Sequence, residues 1–253
     1  MLNATLEVQD LKKSFGALEA LRGVDLKVGD RRLVLIIGPN GSGKTTLINA
    51  ISGTLRPDSG TVRFNGREIQ GWPPYEVYGV GLVRTFQIPL PFVKLTVLEN
   101  LLTAYRENPG ESFLRAPFKR TWEKVEETVT NAAFDTLRRL KLVHLWNQRS
   151  ANLSGGQFKL LEIGRALMAG AMMIMMDEPV AGVNPVLAHE VFTQIRQLRN
   201  ELGVTFLLVE HRLDIALQYV DYIYAMDEGK VISEGEPKKV VNDPRVIEAY
   251  LGE

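Results

Sequence analysis

Apolar and polar positions alternate near the start of the chain. Leu6-Glu7-Val8 and Val24-Asp25-Leu26 predict two short strands joined around Phe15-Gly16. From Arg32 to Ile37 the pattern becomes continuously apolar after its first residue, which predicts a buried strand. A glycine-rich turn follows, then a helix from Thr45 to Ser52 with Gly53 as its stop. Thr61 to Ile69 reads as a hairpin, because Asn65-Gly66 accepts the positive φ angles of a tight turn. The period then lengthens. Between Trp122 and Lys141, Val125, Val129, Ala133, Leu137 and Leu140 form one helical stripe. Glu123, Glu126 and Glu127 lead this helix and Arg138, Arg139 and Lys141 close it, complementing its dipole. A second helix is expected from about Gln157 to Ala169. Between Pro89 and Pro117, prolines and glycines break any long element, so this stretch is expected to be mobile or to face a partner.

The last third alternates strand and helix. Met172 to Met176 predicts a strand. Asn184 caps a helix whose first position is Pro185, whose stripe is Leu187, Val191, Ile195, Leu198 and Leu202, and whose stop is Gly203. Val204 to Val209 predicts another buried strand, followed by a helix near Leu213 to Tyr219 and a hairpin from Asp221 to Ile232. Such alternation implies parallel strands in an α/β core. The 253 residues are 45% apolar and 24% charged, which excludes a disordered or fibrous chain. Lys+Arg and Asp+Glu each count 30, so a strongly basic nucleic-acid binder is not expected. Without cysteine, thiolate metal sites and cysteine nucleophiles are excluded. The first twenty residues carry Glu7, Asp10, Lys12 and Lys13 where a leader would need an apolar run. Runs such as Leu33–Ile37 and Ala171–Met176 fall far short of the roughly 18 residues of a spanning helix, so the chain is not expected to cross a membrane by itself.

Gly38-Pro39-Asn40-Gly41-Ser42-Gly43-Lys44-Thr45 fits the phosphate-binding loop pattern, after a predicted strand and before a predicted helix. Its glycines let backbone N–H groups turn toward phosphate oxygens, and the helix start adds its positive dipole end. Lys44 would reach the β- and γ-phosphates, and the Thr45 hydroxyl would ligate Mg2+. The strand from Met172 ends in Asp177-Glu178. At the carboxyl edge of an open sheet, Asp177 suits the magnesium shell and Glu178 can polarise an attacking water. His211 follows the strand Val204–Val209 at the same edge, as a neutral donor to the γ-phosphate. His144 and His189 are read as core or surface residues. Ser154 and Gln157 have capping-box spacing, and Gly155-Gly156 leave the helix amides bare, a second anion-ready helix end. Phe15 stacks on a base or fills the core, and chemistry alone does not choose. Without an Asn-Lys-x-Asp box, the base leans toward adenine.

Taken in order, these motifs resemble the ATP-binding cassette (ABC) family over essentially the whole chain. They are Phe15 (aromatic loop), Gly38 to Thr46 (phosphate loop), Gln87 (glutamine loop), Leu153 to Gln157 (signature), Met172 to Glu178 (Walker B) and His211 (switch histidine). The resemblance implies one α/β P-loop cassette over residues 1–253, with a RecA-like core, an antiparallel β lobe and a helical lobe near 88–165. It also implies Thr46 among the nucleotide-binding residues, Gln87 near the metal, ATP and Mg2+ as cofactors, and a head-to-tail pairing in which each signature faces the partner's nucleotide. Val83–Gln87, Leu95–Asn100, Leu161–Leu167, Val209–His211 and the ending Asp243–Gly252 are similar to the cassette of branched-chain amino acid importers. In that family, two cassettes drive a membrane permease fed by an extracellular binding protein, so the chain is expected at the cytoplasmic face of the membrane. Cassettes of a urea importer or a lipopolysaccharide exporter look similar, and soluble cassette proteins of DNA repair or translation form another class. The chain departs from the wider family at Asn184, where Asp usually ends the loop after Walker B, and at Phe15, where Tyr is commoner. The stretch Gln87 to Leu102, with Ile88, Leu90, Phe92, Val93 and Leu95, is expected to border a groove for a permease helix.

Overall fold

Two long strands, not short ones, open the chain: β1 (Ala4–Phe15) and β2 (Leu18–Gly29). The computed structural model describes residues 4–85, 91–106 and 119–251. A bulge hides the length of β1 from its sequence pattern. Asp10 takes a φ of 44°, the register shifts between Val8 and Leu11, and the polar Gln9-Asp10 pair interrupts the alternation.

The chain divides into two compact units, Met1–Gln87 with Met172–Ala181 and Ile195–Glu253, and Ile88–Ala171 with Gly182–Gln194. In the first unit, β4 (Ser59–Phe64) and β5 (Arg67–Glu68) join β1 and β2 in an antiparallel sheet of order β2-β1-β4-β5. The expected hairpin turns at Asn65 and Gly66, both at positive φ. A second sheet has the order β10-β9-β3-β8-β7-β6, from β3 (Leu33–Ile37), β6 (Leu82–Thr85), β7 (Met173–Asp177), β8 (Thr205–Val209), β9 (Tyr222–Asp227) and β10 (Lys230–Gly235). Its strands pair in parallel from β9 to β6, and β10 closes the edge antiparallel. Full burial of β3, β7 and β8 on both faces explains the apolar runs Leu33–Ile37, Met173–Met176 and Phe206–Val209. Met172 stands outside β7 and is half exposed, whereas Met173, Met175 and Met176 are completely buried. One apolar cluster joins Leu6, Val8 and Val62 of the antiparallel sheet to Ile36, Met175 and Leu207 of the parallel one, through Leu47 and Ile48.

The α-helices among the described residues are α1 (Lys44–Ile51), α2 (Pro74–Gly79), α3 (Val97–Leu102), α4 (Lys119–Arg139), α5 (Gly155–Met168), α6 (Pro185–Leu202), α7 (Leu213–Ala216), α8 (Pro237–Val240) and α9 (Pro244–Leu251). In the second unit, α4 buries the predicted stripe at Val129, Ala133 and Leu137. Gly164 on α5 has no room for a β-carbon, which would meet Leu140 at 2.7 Å and Leu101 at 2.9 Å. Within the proline-broken stretch, α3 forms because Thr96 and Glu99 complete a reciprocal capping box. Buried Asn100 then ties α3 to its approach, accepting from Phe92 N at 2.8 Å and donating to the Phe92 and Thr96 carbonyls. Among the described residues, no helix is long and apolar enough to cross a membrane.

Candidate functional site

β3 delivers the chain into the loop Gly38–Gly43, and α1 begins at Lys44. Two glycines here are sterically required. At Gly38 (φ 148°) a β-carbon would lie 2.1 Å from the Met226 carbonyl, and at Gly43 (φ 100°) 2.6 Å from that of Ala20. Gly43 caps α1 and has no side chain of its own to cover the first amides of the helix. Gly41 has open space where a side chain would be. Lys44 is 6% exposed, and its ammonium donates to the carbonyls of Gly38 (2.7 Å) and Pro39 (2.6 Å) and to Ser42 Oγ (3.2 Å). Ser42 and Pro39 are buried, whereas Asn40, Gly41 and Thr45 are exposed and Thr46 is half-buried. The Gly38 N–H donates to the hydroxyl of Tyr250 on α9 at 2.8 Å, tying the end of the chain to the start of the loop.

β7 and β8 bring the acidic residues and His211 to the same sheet edge. Asp177 is 7% exposed, and burial raises its carboxyl above the ordinary range. The positive charge of Arg84 opposes that shift, with lesser influences from Glu178, His211 and Lys44. Arg84 Nη2 lies 3.6 Å from Asp177 Oδ2, and its other terminal nitrogen donates to Asn49 of α1. Glu178 adopts the left-handed conformation, φ 50°, which turns the chain away from the strand. Its Oε1 lies 3.4 Å from His211 Nε2.

The donor set fits a small hard cation. Among the described residues no group of three or more His, Cys, Asp or Glu could hold a metal by itself. Thr45 and Asp177 can supply two oxygens, leaving the remaining positions to phosphate and water, as Mg2+ prefers. A cation beside Asp177 would also favour its ionised form, which burial disfavours.

Ser154, Gly155, Gly156 and Gln157 belong to the second unit. There Ser154 accepts from Gln157 N at 3.4 Å, and Gln157 Oε1 accepts from Ser154 N at 2.9 Å. The capping box read from the spacing is therefore formed, with Ser154 and Gly155 exposed. Asn184 caps α6 through a 3.0 Å bond from Leu187 N. Phe15 is 50% exposed beside Lys13 Nζ, so it does not fill the core. His144 is exposed and His189 half-buried. Gln87 lies outside the described residues, as do Ile88 and Leu90.

Sequence reasoning passed over Arg84, Glu210 and Tyr250 as individual side chains. A lone arginine on a strand beside Leu82 and Val83 was a usable signal for the first. Glu210 meets Val180, and Tyr250 meets Gly38, far away in the chain, which no local pattern reveals.

The family model for the ABC transporter matches residues 21–181, and the model for the branched-chain amino acid ATP-binding cassette transporter matches residues 230–253. The chain is 51% identical over 247 residues to the "Probable branched-chain amino acid transport ATP-binding protein LivG" of Archaeoglobus fulgidus, covering 98% of this chain and 95% of that one. It is 38% identical over 254 residues to the "High-affinity branched-chain amino acid transport ATP-binding protein BraF" of Pseudomonas aeruginosa, covering 100% of both. Among solved structures, the ADP conformation of an ATP-binding cassette of an ABC transporter has a TM-score of 0.86 and 49% identity, covering 99% of each chain.

Proposed function

The chain belongs to the ABC transporter family as an ATP-binding cassette, and we propose that it hydrolyses ATP to power an importer of branched-chain amino acids. One observation carries the reading. The loop bearing Lys44 and the trio Asp177, Glu178 and His211 converge at one end of the parallel sheet, the end where open α/β sheets take their ligands. The substrate class rests on the names of the relatives and on the match over residues 230–253.

In this reading, the amides of Gly41, Gly43, Lys44, Thr45 and Thr46 hold phosphate oxygens, and the Lys44 ammonium turns from its own carbonyls toward the β- and γ-phosphates. Phe15, exposed at the end of β1, stacks on the adenine. Thr45 and Asp177 would hold Mg2+, and the ion would neutralise phosphate charge. Glu178 accepts the proton of the attacking water, and His211 donates to the γ-phosphate from the opposite loop. The Ser154–Gln157 helix end, exposed at Ser154 and Gly155, caps the nucleotide of a second cassette, so two chains work head to tail. Separate permease subunits carry the substrate path, with an extracellular solute-binding protein delivering to them, and this chain sits at the cytoplasmic face. Phe92 and Val93, each 51% exposed, belong to the surface that receives the permease.

Phosphate release from ATP by the purified chain tests this reading. Turnover that stops when divalent cations are chelated is expected, at about 1–100 per second at most. Binding without turnover under any condition would make the chain a nucleotide sensor.

A further inference from the structure

The two loops that carry Glu178 and His211 part company just beyond the parallel sheet. A backbone bond joins them there, from Glu178 N to the Val209 carbonyl, at 2.8 Å. After it, the left-handed turn at Glu178 directs the chain away, and the next N–H on that side, at Val180, sits on a completely buried residue. The Glu210 carboxylate bridges this gap. Its Oε1 accepts from Val180 N at 2.9 Å, and its Oε2 accepts from His211 N at 3.0 Å and Arg212 N at 3.1 Å. Glu210 is 2% exposed, so it is closed off from solvent and from anything solvent brings.

We propose that Glu210 is a positioning residue for ATP hydrolysis, fixing the loop of Glu178 against the loop of His211 so that their side chains stay in register. The inference rests on the reading of Glu178 as base and His211 as γ-phosphate contact. Both carboxylate oxygens are needed, because donors approach from two sides and every one is an N–H. Glutamine has the same shape but a single acceptor oxygen, and its amide would face an N–H on whichever side it was turned. One loop would then be released, while Lys44 and the phosphate loop stayed intact. The arrangement also explains why a fully apolar residue would not serve at position 210: three buried or half-buried N–H groups would lose their acceptor at once.

The experiment measures kcat, KM for ATP and ATP affinity for the wild type and Glu210→Gln, and repeats single-turnover phosphate release in a His211→Ala background. The expected result is a fall in kcat of tenfold or more, with KM and ATP affinity within twofold. In the His211→Ala background, Glu210→Gln should cost less than twofold, because the register it maintains no longer matters. Glu210→Asp, which keeps the charge but is one methylene too short to span both loops, should lose kcat similarly and replaces Gln if that protein does not fold. Asp221→Asn provides the stability control. It disturbs a carboxylate that holds Leu33 N at 2.8 Å and Arg199 at the start of β3, away from the carboxyl edge of the sheet. It should lower the melting temperature and leave kcat unchanged. An equal loss of kcat in both backgrounds, or a loss that simply follows melting temperature across the Glu210 and Asp221 variants, would overturn the proposal. Wild-type turnover in Glu178→Gln or His211→Ala alone would instead mark the failure of the underlying site reading.

Discussion

Replacing Lys44 with alanine is expected to weaken ATP binding by roughly 100-fold, equivalent to about 2.7 kcal/mol, and to abolish measurable turnover. The magnitude follows from the place of the ammonium. It is 6% exposed, held at the mouth of the loop by the Gly38 and Pro39 carbonyls, and close enough to Asp177 to influence its ionisation. A charge so poorly hydrated transfers to phosphate oxygens at little desolvation cost, and charge-assisted hydrogen bonds are about twice as strong as neutral ones. Alanine removes the charge and leaves two carbonyls without that donor, so some thermal destabilisation will accompany the loss. Titration calorimetry with ATP, run well below the melting temperature, separates the two effects. Affinity and hydrolysis like the wild type in this variant would remove the loop from the site.

Glu178→Gln should lower phosphate release by about a thousandfold, within the range attributed to a positioned general base, while ATP remains bound. The amide keeps the shape of the side chain and can still hydrogen-bond His211, but it cannot accept a proton from water. Bound ATP then persists and acts as an interface ligand, so association becomes nucleotide-dependent by mass action. Size-exclusion chromatography with light scattering should show monomers without nucleotide, dimers with Mg-ATP and monomers again with ADP. Runs at high protein concentration allow for a weak homodimer if the working pair contains a different second cassette. Ser154→Arg in the same background places a long cation at an exposed helix start and should prevent the dimer without reducing ATP binding to each chain. Loss of the serine cap costs about 1 kcal/mol of helix stability, a change that thermal melting will register separately. Hydrolysis at the wild-type rate in Glu178→Gln would remove Glu178 from the mechanism.

What could be read from the sequence was whatever is encoded within a few residues. Helices α4, α5 and α6 announce themselves through stripes and caps, and the strand–loop–helix around Lys44 through its glycines. The placement of Asp177, Glu178 and His211 at one sheet edge was legible because each ends or closely follows a strand, and parallel strands bring such ends together. Strand β6 was missed because it spans only Leu82–Thr85, carries a charge at Arg84, and pairs with a strand far along the chain. Distance hid the supporting contacts in the same way. Glu210 meets Val180 across 30 positions, and Tyr250 meets Gly38 across 212. A carboxylate beside His211 and a tyrosine in α9 look ordinary until the fold supplies their partners. For Phe15 the sequence left two options, and its half-exposed position on β1 rejects the core.

Coupling of ATP hydrolysis to the entry of branched-chain amino acids is measurable in a reconstituted transporter. The readout is ATP-driven uptake of radiolabelled leucine into proteoliposomes, with the chain added to its permease and its solute-binding protein. Uptake should require ATP and the binding protein, be matched by leucine-stimulated phosphate release, and disappear with Glu178→Gln. Phosphate release that ignores leucine, isoleucine and valine but responds to an unrelated solute such as urea would contradict that coupling.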